Sequence, residues 1–76
     1  MNLIQAKSNV DLIIKSISRG RRGRERLMNM GIREGVIIRK LSQQPFRGPI
    51  ILKIGNSTVA VGWRMAEFIL VEEAGE

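Results

Sequence analysis

The chain has 76 residues, 13 Lys+Arg against 7 Asp+Glu, no His and no Cys, which makes one small domain over residues 1–76 with a net charge of +6. Without Cys there are no disulfides, thiolate metal sites or thiol nucleophiles, and without His the commonest metal ligand and general base are gone, so an enzyme is not expected. Hydrophobic content of 43% supports a core, no apolar run approaches the ~20 residues of a membrane span, and Met1-Asn2-Leu3-Ile4-Gln5 lacks the basic and apolar regions of a signal peptide.

A cytoplasmic location is therefore expected. So small a core gains from self-association or a partner, and a homo-oligomer is one expectation. Sixteen apolar residues are Val or Ile, whose β-branching favours strands. The first strand is predicted over Val10–Ile17, with Val10, Leu12 and Ile14 on one face. Ile17 is out of phase, and a bulge near Lys15 or Ser16 returns it to the core.

The period then changes. A short helix is expected from about Arg22 to Met30, with Leu27 and Met30 facing the core. Gly31 suits the left-handed position that ends a helix, letting Ile32 fold back on Leu27. Five of the nine arginines (Arg19, Arg21, Arg22, Arg24 and Arg26) crowd this helix start. The charge as a whole is uneven: residues 1–71 hold all 13 basic residues against Asp11, Glu25, Glu34 and Glu67, a net of +9, while Glu72, Glu73 and Glu76 form an acidic tail expected to be flexible over 72–76. Such an excess fits either a solvated face or a surface for an anionic partner.

Arg33-Glu34-Gly35-Val36 reads as a tight turn, and Val36–Leu41 as a second strand. A loop over Ser42–Gly48 contains Pro45. The third strand follows Gly48-Pro49, with Ile50, Leu52 and Ile54 on one side. Gly55-Asn56 is a two-residue hairpin turn, Thr58–Gly62 the return strand, Trp63–Phe68 a single helical turn, and Ile69–Val71 the last strand. Five short strands, a helix after the first and a helical turn before the last predict a mainly β protein, a small partly open five-stranded barrel. Closure of this kind hides strand edges.

Residues 20–71 resemble the FeoA family. Arg26-Leu27-Met28-Asn29-Met30-Gly31-Ile32, followed by Gly35, is similar to the family's Arg-Leu-x-x-Met-Gly-[Leu/Ile] helix, and Gly20-Arg21-Arg22-Gly23-Arg24 matches the basic stretch before it. Gly48-Pro49-Ile50 is similar to the family's start of the third strand, Gly55-Asn56 to its hairpin turn, and Val59-Ala60-Val61 with Arg64, Ala66 and Ile69-Leu70-Val71 to its ending. Glu34 replaces the usual Pro, Ser8-Asn9 stands where Pro-Gly is common, and Gly62-Trp63 also departs from the pattern. The resemblance implies an SH3-like barrel and a cytoplasmic accessory of bacterial ferrous iron transport. Its partner would be the membrane G protein FeoB, holding it peripherally at the inner face of the membrane.

The residues narrow the remaining chemistry. The acids are dispersed apart from Glu72-Glu73, which point to opposite faces of a strand, so no metal or cofactor site is expected. The resemblance then implies an accessory, not an iron carrier. Only Phe46, Trp63 and Phe68 are aromatic, and with Phe68 assigned to the core a proline-peptide groove is excluded. No Walker-type loop is present.

The candidate partner-binding residues are Arg21, Arg22, Arg24, Arg26, Met28, Phe46, Arg47 and Trp63. Two of them keep open alternatives. Met28 either packs under the Ser42–Gly48 loop or joins an exposed patch beside the arginines, and Trp63 either closes one end of the barrel or anchors an interface. Nucleic acid is the rival partner for the arginines, though stacking aromatics are few. A repressor-type SH3-like regulatory domain is a related alternative, weakened because Met1 begins the chain with no DNA-binding helix pair before the barrel.

Overall fold

In the computed structural model, residues 1–18 and 20–75 are described; Arg19 of the arginine cluster and Glu76 of the acidic tail lie outside them. The alternation of the first strand, β1 (Asp11–Ile17), buries Leu12 and Ile14 on one face. Its pairing slips by one residue between Ile14 and Ser16, so Lys15 is the bulge that brings Ile17 inside. The helix α1 (Arg21–Asn29) starts and stops one residue earlier than expected. It ends in a Schellman motif: Gly31 has φ +89°, its N–H donates to the Met28 carbonyl at 3.0 Å, and the Ile32 N–H donates to the Leu27 carbonyl at 2.9 Å. Leu27 and Ile32 are both buried, as that fold-back requires.

Gly31 is therefore needed for its backbone. A methyl there would meet only Ile54 Cγ2 at 3.7 Å, an ordinary contact, so Gly31→Ala should destabilise by about 1 kcal/mol through left-handed strain alone. Urea unfolding checks this; a neutral result would mean that the helix end relaxes.

β2 (Ile37–Gln43) starts one residue later than expected and runs two further, taking the first residues assigned to a loop. Arg33–Val36 closes the preceding turn through the Val36 N–H to Arg33 carbonyl bond, with Gly35 at φ +87°. β3 (Ile50–Ile54) and β4 (Ser57–Val61) form the expected hairpin around Gly55-Asn56, and Gly55 takes φ +58°. α2 (Trp63–Ala66) is shorter than the predicted turn. Phe68, assigned to the core from sequence, is only half-buried and lies outside the buried cluster. β5 (Ile69–Glu73) continues two residues into the expected flexible tail, pairing Glu72 with Ile13 and Glu73 with Leu12.

The five strands form one antiparallel sheet in the order β4-β3-β2-β1-β5, curled round a single apolar core. Leu41 is a second bulge, in β2 against β3, and helps the sheet bend. The N-terminal segment covers the outer edge of β5: Asn2 bridges Leu70, the Leu3 N–H donates to the Ile69 carbonyl at 2.9 Å, and the Val71 N–H donates to the Met1 carbonyl at 2.8 Å. Leu3 and Ala6 join the core.

Lys40 holds that segment in place. It lies on the buried face of β2, 2% exposed, where its ammonium donates to the Leu3 and Ile4 carbonyls at 3.1 Å each and to Gln43 Oε1 at 2.7 Å. Three donors meet three acceptors, so the cation is fully satisfied. Burial still pushes its pKa below the ordinary lysine value.

Candidate functional site

The arginines around α1 divide into two kinds. Arg24 is half-exposed and reaches from the helix to its neighbours: Nη1 donates to the Ile17 carbonyl at 2.6 Å, and Nη2 lies 3.8 Å from Glu34 Oε2. It ties α1 to the end of β1 and to the turn before β2, so it acts as a brace. Arg21, Arg22 and Arg26 are exposed. Arg21 has a loose pair with Glu25, 3.6 Å apart and exposed, which contributes little. Among the described residues neither Arg22 nor Arg26 forms an ion pair.

Their spacing of four places Arg22 and Arg26 on one side of α1, where with Gly23 and Met65 of α2 they line a shallow hollow. Gly20, Arg21, Arg22 and Gly23 line a second hollow around the helix start. That start has no capping side chain and no acidic residue in its first turn, so the positive helix end adds to the guanidinium charge instead of offsetting it.

On the other side of the helix Met28 is 44% exposed and shares a groove with Ile17, Arg24, Arg33 and Glu34. It does not line that groove with the 42–48 loop, which leaves the exposed patch of the two alternatives. Phe46 and Arg47 belong to a different element, the tip of the β2–β3 loop. Phe46 is 99% exposed, and both residues take φ +58°, a left-handed conformation that non-glycine residues adopt at some strain. Gly48 closes that tip, where a Cβ would come within 2.8 Å of Gln44 Cβ. Trp63 is half-buried against the core, as the barrel-closing alternative expects.

Two features were missed from sequence. Met65 on the arginine face carried no local signal. Arg24 looked like its neighbours because its partner, a backbone carbonyl, is invisible in the sequence. Among the described residues no three carboxylates gather to hold a metal ion, and no helix is long and apolar enough to cross a membrane.

The sequence matches the FeoA domain over residues 1–73. The chain belongs to the FeoA family. This FeoA-family chain is 35% identical over 69 residues to the putative Fe(2+) transport protein A of Methanocaldococcus jannaschii, covering 91% of this chain and 82% of that protein. It is also similar to the solution structure of iron(II) transport protein A from Clostridium thermocellum, with TM-score 0.89 and 31% identity. That match covers 97% of this chain and 46% of the other, so the chain spans about half the length of that relative.

The SH3-like fold is shared more widely. ScaR with bound Zn2+ matches with TM-score 0.87 at 23% identity, over 96% of this chain and 36% of that one. At that identity the likeness is one of fold alone.

Proposed function

We propose that this FeoA-family chain is a non-enzymatic accessory of ferrous iron uptake that docks on a FeoB-type membrane G protein and modulates it from the cytoplasmic side. The observation that carries the reading is the face of α1. Three exposed arginines, Arg21, Arg22 and Arg26, stand there with one neighbouring carboxylate, over a brace made by Arg24. Exposed cations of this kind steer an acidic partner surface into register without having to hold the cargo.

Phe46 and Arg47 are a second contact point, since a fully exposed aromatic ring at a strained tip is a ready anchor. Deleting the gene from a host that carries such a transporter should lower Fe(2+) uptake, and re-expression should restore it. The chain should also co-purify with the detergent-solubilised transporter. Unchanged uptake together with no co-purification would reject the proposal.

A further inference from the structure

The two edges of the sheet are treated differently. The β5 edge is covered by residues 1–3. Among the described residues no strand or backbone bond covers the β4 edge, and its sequence, Ser57-Thr58-Val59-Ala60-Val61, carries none of the charges or prolines that usually guard an exposed strand.

Register decides which backbone groups face outward. The two-residue hairpin makes Ile54 and Ser57 a hydrogen-bonded pair, so Val59 bonds Leu52 and Val61 bonds Ile50 in the same way. The N–H and C=O groups of Thr58 and Ala60 therefore point away from β3. Among the described residues no backbone group bonds them.

We infer that β4 pairs with β4 of a second copy of this chain, antiparallel, about a two-fold axis through Val59. That register is self-complementary. Thr58 exchanges both backbone bonds with Ala60 of the second copy, Ala60 does the same with its Thr58, and the two Val59 residues lie opposite each other between them. Val59 is half-buried and packs on the core-facing side of the sheet, so the contact extends the apolar row Leu52–Val59 across the axis. On the outer face Lys53, opposite Thr58, would be followed by Ala60 of the second copy, so no two lysines face each other. Each copy carries +6, and the uncharged β4 edge is a line along which two such bodies can meet. This inference is independent of the proposed transporter surface, which lies on α1.

Sedimentation equilibrium of the full chain, from roughly 10 μM to 1 mM, should show a reversible monomer–dimer equilibrium that tightens as salt screens the +6 charges. Amide exchange of Thr58 and Ala60 should slow as the dimer forms. Ala60→Pro removes the outward N–H and leaves the bonds to β3 intact. It should weaken the dimer by roughly tenfold or more. Should that variant fail to fold, Ala60→Lys places a guarding charge on the same edge and should do the same. A monomer at every concentration overturns the inference. So does a dimer that both variants leave unchanged, or one in which the Thr58 and Ala60 amides still exchange freely, which would place the contact on another face or in a swapped N-terminal segment. Protection of these amides only on adding a different protein would assign the edge to that partner and overturn it too.

Discussion

Lys40→Ala should destabilise the protein by about 2–5 kcal/mol, a large share of the roughly 4–11 kcal/mol that a chain of this length has. The substitution removes a buried four-carbon stem and leaves the Leu3 and Ile4 carbonyls and Gln43 Oε1 without their donor. Lys40→Met separates the two effects. It fills the space but not the hydrogen bonds, and should lie between alanine and wild type. Urea unfolding at neutral pH reads the order. A Lys40→Ala variant within about 1 kcal/mol of wild type would mean that the N-terminal segment holds β5 without the lysine.

The same residue predicts a pH dependence. Burial sets the folded pKa of Lys40 below 10.5. Below that folded value both states carry the proton, and the folded state bears the full penalty of a buried cation. Between the folded value and 10.5 the unfolded chain holds a proton that the folded chain has released, so stability rises with pH. Lys40→Met lacks this term. The stability difference between wild type and Lys40→Met should therefore move in favour of wild type as pH rises through that window, and a difference flat in pH would sink the assignment.

Lys40 also marks where the sequence stops being legible. In β2 either Ile37 or Ile38 can face the core, and a lysine two positions after Ile38 argues locally against the phase that the protein adopts. What reverses that preference is a set of carbonyls 36 and 37 residues away, which no local pattern contains. Leu3 and Ala6 escaped notice for the same reason: a six-residue segment shows no period, and its partners in β5, Lys40 and the core lie far along the chain. By contrast, the Lys15 bulge, the Gly31 helix end and the Gly55-Asn56 turn were readable, because each is decided by neighbours within a few residues. The arginine cluster was visible as charge. The separation of Arg24, as a brace, from the exposed Arg21, Arg22 and Arg26 was not, since that depends on which guanidinium reaches the Ile17 carbonyl.

Reversing Arg21, Arg22 and Arg26 together to Glu should weaken association with the transporter by roughly 30-fold or more and reduce Fe(2+) uptake, while leaving the fold intact. The three side chains are exposed, and the one pair lost, Arg21 with Glu25, is too hydrated to matter for stability. Glutamates at 21 and 22 suit the positive end of α1, whereas glutamate at 26, in its last turn, and the new like-charge pairs with spacing four (21 with Glu25, 22 with 26) oppose it, so the melting temperature should change by only a few degrees. The net charge falls from +6 to 0, and a steered association loses speed accordingly. Raising the salt should weaken wild-type binding and leave the variant's residual binding nearly unchanged.

Arg24→Ala supplies the contrast. It takes the donor from the Ile17 carbonyl and should lower stability by about 1–2 kcal/mol. Its binding should recover where the fold is intact. Loss of binding without loss of stability in the triple variant, and the opposite in Arg24→Ala, is the pattern that an electrostatic docking face requires. A triple variant with wild-type affinity and uptake would remove α1 from the interface. Tight, steeply salt-dependent binding of mixed-sequence nucleic acid that the same three reversals abolish would instead assign the face to phosphates.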